Sequence, residues 1–304
     1  MMVETACAIA KKTHSKGVLL YADMIEDYDA LAKIGQENQV DLILAIKDYA
    51  SFQEASSIFK KVLRIPDIPL GRINQIKMAI IQALSKGLVK KGDKWVCLSG
   101  IPQSKALDNL LILEFGKEFE LIASSDLPVL SEIVMPEVFD SLLNLALEIS
   151  LEGKEGRKSI GTIFVLGRHE DVLKFSHPMV INPFQGYPEE ERNILDPRLK
   201  ETVKEFSSID GAFIFREDGV ILAAGRHLDV SGENVEIPLG LGSRHRAAAG
   251  ITSLTDALAI VVSEGTGGVR IFHHGKIFME IEKGECVFSD IDSSLFQALQ
   301  GAPP

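Results

Sequence analysis

The sequence predicts an α/β protein with two units, and three observations support this prediction. Short apolar runs of strand length alternate with helical periods over about the first 118 residues. After residue 211 the chain changes to closely spaced strand pairs joined by glycine-containing turns. The chain also has 304 residues, 46% of them hydrophobic, which exceeds the size of one average domain. We therefore expect an N-terminal unit over residues 1–122 and a C-terminal unit over residues 130–300.

The expected elements of the N-terminal unit alternate between strand and helix. Strands are expected at residues 17–21, 40–46, 95–100 and 110–115, and helices at residues 28–38 and 74–86. This alternation is typical of a mostly parallel sheet covered on both faces, because each parallel connection has to cross the sheet. Residues 119–131 have weak periodicity and contain Pro128, so we expect a linker there.

The C-terminal unit is expected to hold a mixed sheet flanked by helices. A helical stripe of apolar residues indicates a helix at residues 136–152, and Asp196 with Pro197 is suited to the start of a helix that ends near Phe206. Further strands are expected at residues 159–166, 212–215, 220–224, 257–262, 269–272 and 277–281, with a helix at residues 243–252. The short turns between successive strands favour antiparallel hairpins.

Composition and charge exclude several classes of protein. The chain has 32 lysines and arginines against 43 aspartates and glutamates, and its net charge of −11 is unsuited to coating nucleic acid or an anionic membrane. Its apolar runs fall short of the roughly 20 residues that span a bilayer, and no secretion signal is evident. Cys7, Cys97 and Cys286 lie far apart and are expected to be buried thiols in a reducing compartment. We therefore expect a cytoplasmic protein with no nucleic-acid or membrane partner.

The most informative segment is LGLGSRHRAA at residues 239–248. Its glycines let the backbone approach a ligand, and Ser243 is suited to cap a helix whose first N–H groups face an anion. Arg244 and Arg246 oppose the dipole at that helix end, which costs about 0.3–1 kcal/mol per charge unless an anion offsets it. The segment predicts a phosphate site, although a surface helix that begins with basic residues explains it too. His245 by itself is more often structural than a ligand.

Two further motifs could carry chemistry. Asp210 precedes Gly211 at the start of the expected hairpin, where a carboxylate can hold Mg²⁺ or Mn²⁺ or accept a proton from a hydroxyl. The same dipeptide is also common in ordinary turns. Ser263 and Glu264 follow a strand and lead into a glycine-rich loop, which is a frequent place for binding residues, although a plain β-turn explains it equally well.

In this order, the three motifs resemble the catalytic domain of diadenylate cyclases. The matching segments are Asp210-Gly211-Ala212, Gly242-Ser243-Arg244-His245-Arg246-Ala247-Ala248 and Val262-Ser263-Glu264-Gly265-Thr266-Gly267. The resemblance covers residues 130–290 and implies an enzyme that condenses two ATP molecules into cyclic di-AMP and releases two pyrophosphates. It also implies self-association, because each domain holds one ATP and two domains have to meet face to face.

The resemblance implies roles for the matching residues. The implied catalytic residues are Asp210, Arg244, His245 and Arg246, and the implied ATP-binding residues are Gly211, Ala212, His227, Leu228, Gly242, Ser243, Arg244, Arg246, Ser263 and Glu264. Asp210 would hold a divalent cation, Mn²⁺ first and Mg²⁺ second, and help to activate the ribose 3′-hydroxyl, with His245 beside the metal. His227 and Leu228 would hold the adenine, while the two arginines would form the triphosphate cradle.

A sensor that binds ATP or cyclic di-AMP without turnover is the alternative to an enzyme. Gly265 favours the sensor, because many members of the family have a second glutamate there. Asp210, Arg244 and Arg246 favour the enzyme, because a sensor has no need of a metal-binding acid beside the 3′-hydroxyl.

The N-terminal unit is similar to the C-terminal regulatory domain of pyruvate kinases. The similarity lies in residues 96–102 and in the expected strand at residues 110–115. It implies oligomerisation or regulation, with Ser99, Gly100 and Ser104 as the phosphate-contacting residues if a ligand exists. A scaffold without a ligand is the alternative.

Overall fold

A computed structural model describes residues 2–101, 106–116, 130–152, 160–230 and 241–282, which form an α/β structure with two sheets. The helices are α1 (Met2–Lys12), α2 (Tyr28–Asn38), α3 (Tyr49–Ile58), α4 (Arg72–Ser85), α5 (Leu130–Ile133), α6 (Pro136–Glu152), α7 (His169–Lys174), α8 (Leu199–Phe206) and α9 (Ser243–Leu254). The strands are β1 (Gly17–Tyr21), β2 (Asp41–Ile46), β3 (Val62–Arg64), β4 (Lys94–Ile101), β5 (Ala106–Glu114), β6 (Thr162–Leu166), β7 (Ser176–Pro178), β8 (Ala212–Phe215), β9 (Ile221–Leu228), β10 (Leu258–Val262), β11 (Val269–His273) and β12 (Lys276–Ile281). Within these ranges, no helix has the length and hydropathy to cross a bilayer.

The N-terminal sheet has the strand order β3-β2-β1-β4-β5 and is parallel except at β5, which runs antiparallel to β4. Alternate residues of β1 pack into different hydrophobic clusters, Leu19 into one and Val18 and Leu20 into the other. Both faces of this sheet are therefore covered. The mostly parallel sheet that the sequence predicts is confirmed.

The C-terminal sheet has the order β12-β11-β10-β6-β8-β9-β7. Strands β6 and β8 are parallel, and every other neighbouring pair is antiparallel. The sheet is mixed, as predicted, because the connection from β6 to β8 passes through α7, β7 and α8 while the remaining strands are joined as hairpins or through α9. Helices α6 and α9 both pack against β10.

Several boundaries differ from the sequence expectations. The expected N-cap at Asp196 is wrong by two residues: a tight turn comes first, with the Leu199 amide donating to the Asp196 carbonyl at 3.0 Å, and α8 begins at Leu199 with Arg198 as its N-cap. Strand β5 begins four residues earlier than expected, because it is a partly exposed edge strand with a weak apolar pattern. Strand β9 continues to Leu228, four residues beyond the expected end.

Some elements were missed, and some expectations lie outside the described residues. The missed elements are α1, α3, α5, α7, β3 and β7, which are short or, like α1, bury mainly small side chains. Ser104, Cys286, most of the expected linker and the first two residues of the 239–248 segment lie outside the described ranges. Cys7 and Cys97 are buried free thiols, as expected.

Helix α4 joins the two halves of the structure. All of its residues from Asn74 to Ser85 are buried, and its apolar side chains share one hydrophobic cluster with α6 and with strands of the C-terminal sheet. The Lys77 ammonium donates to the Glu280 carbonyl on β12 at 2.8 Å, and the Asn74 amide donates to the Glu282 carbonyl at 2.7 Å. The contact between the two halves therefore combines apolar packing with partly buried hydrogen bonds.

A partly buried carboxyl lies at the same junction. Burial raises the pKa of Asp140 on α6 to about 6, against the opposing effects of the Lys86 ammonium and the Ser85 hydroxyl. The Ser85 hydroxyl lies 3.5 Å from the Asp140 carboxylate. Because its pKa is higher in the folded chain than in the unfolded chain, protonation of Asp140 favours folding. This contribution is complete at low pH and is lost as the pH rises through 6.

We expect Asp140→Asn to raise the free energy of unfolding at pH 8 by about 1–3 kcal/mol, because the variant no longer has to keep a partly desolvated carboxylate. At pH 4.5 the gain should be clearly smaller than at pH 8, because the folded chain then keeps Asp140 largely protonated and only the unfolded chain ionises it. Urea unfolding at both pH values measures the difference. The matched control is Asp171→Asn, which removes an exposed carboxylate whose pKa is lowered by Lys174, and this change should not stabilise the chain at pH 8. Equal effects of Asp140→Asn at the two pH values would contradict the prediction.

Candidate active site

The predicted site residues gather at one end of the C-terminal sheet. The parallel strands β6 and β8 both begin at this end, and the antiparallel strand β10 ends there with Val262 paired to Thr162. Asp210 lies two residues before β8, and Glu264 lies two residues after β10. The strand register therefore places two acidic side chains on either side of the start of β6.

Arg244, from the first turn of α9, lies between these two carboxylates. One guanidinium nitrogen, Nη1, donates to Glu264 Oε2 at 3.0 Å, and Nη2 lies 3.4 Å from Asp210 Oδ1. The side chains of Arg244, Asp210 and Glu264 are 29%, 73% and 42% exposed, so a solute can reach all three. Gly161 leaves room for the guanidinium, because a Cβ there would lie 2.9 Å from Nη1. The structure thus brings together three residues that the sequence motifs single out.

The N-terminus of α9 is suited to bind an anion. Gly242 is its N-cap and, among the described residues, supplies no side-chain hydrogen bond to the first turn. The expected capping role of Ser243 is wrong, because Ser243 is the first helical residue and is exposed. The N–H groups of this turn therefore have no side-chain acceptor from the cap, and the helix dipole favours negative charge there. Arg246 is exposed as well, with Nη1 3.3 Å from the Leu241 carbonyl.

His245 points away from this surface and into the protein. It is 5% exposed, packs against Phe272, and its Nε2 lies 3.0 Å from Nη1 of Arg270. A guanidinium only donates, so Nε2 is the acceptor and a neutral ring carries its proton on Nδ1. Burial, helped by the charges of Arg270 and Arg244, lowers the pKa of His245 to about 4. This placement does not support the expected role of His245 as a metal ligand, because its Nε2 is already bonded to a cation.

The two residues expected to hold adenine differ in exposure. His227 is exposed, and its ring centroid lies 5.1 Å from that of His177 on the neighbouring strand β7. Leu228 is buried in a cluster that includes Ala248 of α9. Since Ala212 pairs with Arg226, both residues continue β9 past the start of β8, on the side where Asp210 lies. The ring of His227 is available for stacking, whereas the side chain of Leu228 supports the core beneath it.

Gly211 is required by the close approach of β8 and β9. Its φ is +108°, and a Cβ there would lie 2.7 Å from both the Arg226 nitrogen and the Gly225 carbonyl carbon. The Asp210 carboxylate accepts a hydrogen bond from the Gly211 amide at 3.1 Å. The following Ala212 is fully buried. The Asp-Gly-Ala sequence thus fixes the acidic residue at the point where the two strands converge.

Ser263 organises the loop that follows β10. Its amide donates to the Gly268 carbonyl at 2.9 Å, its carbonyl accepts from the Gly267 amide at 2.8 Å, and its hydroxyl lies 3.4 Å from the Thr266 amide. The side chain is largely buried. These bonds close a compact loop and hold Glu264 toward Arg244, so the role of Ser263 in this structure is to shape the loop.

The predicted phosphate contacts of the N-terminal unit are engaged within the protein. The Ser99 hydroxyl accepts from the Asn109 amide at 2.8 Å. The side-chain amide of Gln75 bonds both the nitrogen and the carbonyl of Gly100, at 3.3 and 2.9 Å. These contacts hold the end of β4 and give no support to a phosphate site at Ser99 and Gly100.

Two residues of the site were missed by the sequence motifs. Gly161 precedes β6 and makes room for Arg244, and Arg270 of β11 holds His245. Arg270 was the more visible of the two, because it is one charge within the otherwise apolar run VRIF. A lone charge in a buried strand needs a partner, but the sequence does not show which residue provides it.

Two family models match the chain. The model described as DisA bacterial checkpoint controller nucleotide-binding matches residues 150–277, a range that contains Asp210, Arg244 and Glu264. The model described as Probable sensor domain DacZ_P matches residues 1–122. The resemblance of the N-terminal unit to pyruvate kinases is not tested by these matches and stays a prediction.

Similar proteins cover most of the chain. A diadenylate cyclase of Methanocaldococcus jannaschii is 35% identical over 256 residues, which are 83% of this chain and 81% of that protein. A diadenylate cyclase of Haloferax volcanii is 30% identical over 276 residues, 86% of this chain and 96% of that protein. A crystal structure of DacA from Staphylococcus aureus, as a double mutant, is 24% identical with a TM-score of 0.31 and covers 54% of this chain and 92% of that chain.

We expect Gly211→Ala to destabilise the protein more than Gly186→Ala. Both glycines have positive φ, which costs a non-glycine residue about 1–2 kcal/mol, but a Cβ at Gly186 meets nothing within 4 Å. At Gly211 the Cβ meets backbone atoms, which cannot move aside without separating β8 from β9. Urea unfolding of both variants measures the difference, and equal losses would show that the close approach at Gly211 carries no cost of its own.

Proposed function

The chain belongs to the diadenylate cyclase family, and we propose that it condenses two ATP molecules into cyclic di-AMP at the site around Arg244. The observation that carries this proposal is the position of the Arg244 guanidinium, between two carboxylates and at the uncapped start of α9. This arrangement combines a guanidinium and helix N–H groups, which can bind a triphosphate, with a carboxylate that can accept a proton from a hydroxyl. The chain is then a nucleotidyltransferase. We place its reaction in the cytoplasm, where thiols such as the free Cys7 and Cys97 stay reduced.

In this proposal the triphosphate binds at the first turn of α9. Backbone N–H groups of that turn donate to phosphate oxygens, and the helix dipole adds to their attraction. Arg244 and Arg246 supply guanidinium groups, which suit phosphate because their donors form a planar fork. The exposed ring of His227 supplies a face on which adenine can stack.

A divalent cation fits the acidic side of the site. Asp210 and Glu264 provide carboxylate oxygens, which hard cations prefer, and the substrate phosphates complete such a site in many phosphoryl-transfer enzymes. Among the described residues, no cluster of three or more protein ligands forms a closed metal cage, which agrees with a site shared with phosphate. We propose that Asp210 holds Mn²⁺ in preference to Mg²⁺, with Glu264 beside it. When bound, the cation neutralises negative charge on the phosphates.

The reaction forms one bond and breaks one bond at each α-phosphorus. The 3′-hydroxyl oxygen of one ATP attacks the α-phosphorus of the other, the bond from that phosphorus to the β-phosphate bridging oxygen breaks, and pyrophosphate leaves. Asp210 orients the attacking hydroxyl and accepts its proton. Arg244 stabilises the charge that develops on the phosphates. A second step of the same kind, in which the 3′-hydroxyl of the other nucleotide attacks the remaining α-phosphorus and releases the second pyrophosphate, closes the ring.

Two chains have to cooperate in this reaction. One site holds one ATP, and ring closure needs each 3′-hydroxyl in line with the α-phosphorus of the other nucleotide. We therefore propose a catalytic unit of two copies of this chain, related by a two-fold axis, with their Asp210 sides facing each other. The high exposure of Asp210 supports this, because the group that acts on the partner's nucleotide has to be accessible.

We expect the purified chain to make cyclic di-AMP from ATP with Mn²⁺ or Mg²⁺, detected by mass spectrometry. Asp210→Asn should abolish turnover while ATP still binds, because the carboxylate acts on the hydroxyl and the cation. Arg244→Ala should weaken ATP binding itself by about tenfold or more, since a charged hydrogen-bond donor to phosphate is lost.

The matched controls are Asp256→Asn and Arg198→Ala, which remove an exposed acid and an exposed base outside the site. Both controls should retain the activity of the unaltered chain. ATP binding without product under either metal would favour the sensor, and undiminished turnover by Asp210→Asn would remove that residue from the mechanism.

We also expect the turnover per chain to rise with protein concentration until the catalytic pair is saturated. Initial rates over a dilution series, together with sedimentation in the presence of ATP and metal, measure both quantities. Arg198→Ala serves as the folded control at each concentration. A chain that sediments as a monomer under conditions in which it makes product would show that the paired site is wrong.

A further inference from the structure

Arg270 connects helix α9 to β12, the edge strand of the C-terminal sheet. Its guanidinium is 11% exposed, with Nη1 bonded to Nε2 of His245 and Nη2 in close ionic contact with Glu280. Arg270 and Glu280 are cross-strand partners on β11 and β12. The imidazole and the carboxylate therefore share one largely buried cation, and turning that cation away would remove this contact from both of them.

The same part of β12 is held by the N-terminal unit. The Lys77 ammonium of α4 is buried and donates to the Glu280 carbonyl, while Asn74 of the same helix donates to the Glu282 carbonyl. Lys77 fixes the backbone of Glu280, whose side chain pairs with Arg270, and Asn74 holds the chain two residues further on, just after the end of β12. A continuous set of polar contacts thus runs from α4 to β12, to Arg270, to His245 and to the first turn of α9.

We propose that Arg270 is a positioning residue for the reaction and that helix α4 of the N-terminal unit keeps it in place by holding β12. His245 follows Arg244 in the chain, so a shift of the imidazole moves the guanidinium that lies between Asp210 and Glu264. The N-terminal unit thereby sets the geometry of a site whose named residues all belong to the C-terminal unit. This inference rests on the proposed function, since it assigns Arg244 to the triphosphate.

The test uses the full-length chain with Arg270→Met, Arg270→Lys and Lys77→Met. ATP affinity is measured by calorimetry with Mn²⁺, and kcat and KM are measured from cyclic di-AMP formation. Arg270→Met keeps an apolar stem but no donor, and kcat/KM should fall about ten- to a hundredfold, as expected for a misplaced binding group. The loss should appear mainly as a higher KM and a matching rise in the ATP dissociation constant. Arg270→Lys should stay within about threefold of the unaltered chain, because its ammonium can still donate to His245.

Lys77→Met tests the contribution of the N-terminal unit. It should raise the KM for ATP about three- to tenfold although it lies outside the site, and its loss should be non-additive with that of Arg270→Met. The double variant should be no worse than Arg270→Met alone, because both changes release the same residue. Independent roles would instead multiply the two losses, and that result would overturn the coupling.

The controls separate positioning from general destabilisation. Lys47→Met and Arg198→Met remove cations whose ion pairs, among the described residues, lie within their own half of the chain, and ATP affinity should be unchanged. Thermal unfolding locates a temperature at which every variant is folded, and all affinities are compared there. If Arg270→Met does not fold, Arg270→Lys and Lys77→Met still carry the test. Unchanged ATP affinity in folded Arg270→Met or Lys77→Met would overturn the proposal.

Failure of this inference is distinguishable from failure of the proposed function. An unaltered chain that binds ATP but forms no cyclic di-AMP would overturn the proposed enzyme. The dissociation constant for ATP would then still report on the position of Arg244, because a sensor needs the same triphosphate cradle. An unaltered chain that forms cyclic di-AMP, with variants that bind ATP equally well, would retain the enzyme and reject the positioning role of Arg270.

Discussion

The guanidinium of Arg244 lies between the carboxylates of Asp210 and Glu264, which are 34 and 20 positions away in the chain. Each member belongs to a different element: the turn before β8, the first turn of α9 and the loop after β10. A pairing of this kind persists only if all three backbones are held in register, because an exposed ion pair by itself stabilises little. The order of β10, β6 and β8 in the sheet supplies that register. The mixed topology of the C-terminal unit is thus the condition for the site.

The second constraint is the burial of polar groups where the two halves meet. Lys77 and Asp140 lie in or against α4, whose apolar side chains share a cluster with the C-terminal unit. A buried ammonium that loses its acceptor pays the full cost of desolvation, so Lys77 resists any sliding of α4 along β12. The apolar cluster supplies most of the attraction between the halves, but apolar contacts are not directional and do not by themselves select one relative position. The hydrogen bonds are directional and select one position of α4 relative to β12, the strand that carries Glu280.

The sequence predicts the members of the site better than the directions of their side chains. The three motifs, through the resemblance that they carry, assign Asp210, Arg244 and Glu264 to one site from the sequence alone. The place of His245 beside the metal was implied by the resemblance, and the direction of its ring, toward Arg270, does not support that role. Yet His245, Ala248, Ala249 and Thr252 are all buried and follow the spacing of one helix face, a pattern that marks the histidine as inward-facing. Its partner Arg270 comes from another strand, and no local pattern predicts which buried cation meets which ring. The same limit applies to α8, whose start depends on a tight turn.

On the proposed mechanism, charge balance also explains why each chain has to neutralise its own substrate. Without nucleotide, Arg244 is already shared by two carboxylates, so an arriving triphosphate meets Asp210 and Glu264 as like charges. The start of α9 and the exposed Arg246 offset part of this repulsion, and a divalent cation held with Asp210 would offset more. When two chains then face each other, their triphosphates repel across the pair unless each is compensated locally. Placing the arginines and the helix N-terminus on the same chain as the bound ATP meets this condition, and leaves only the sugar hydroxyl to cross to the partner.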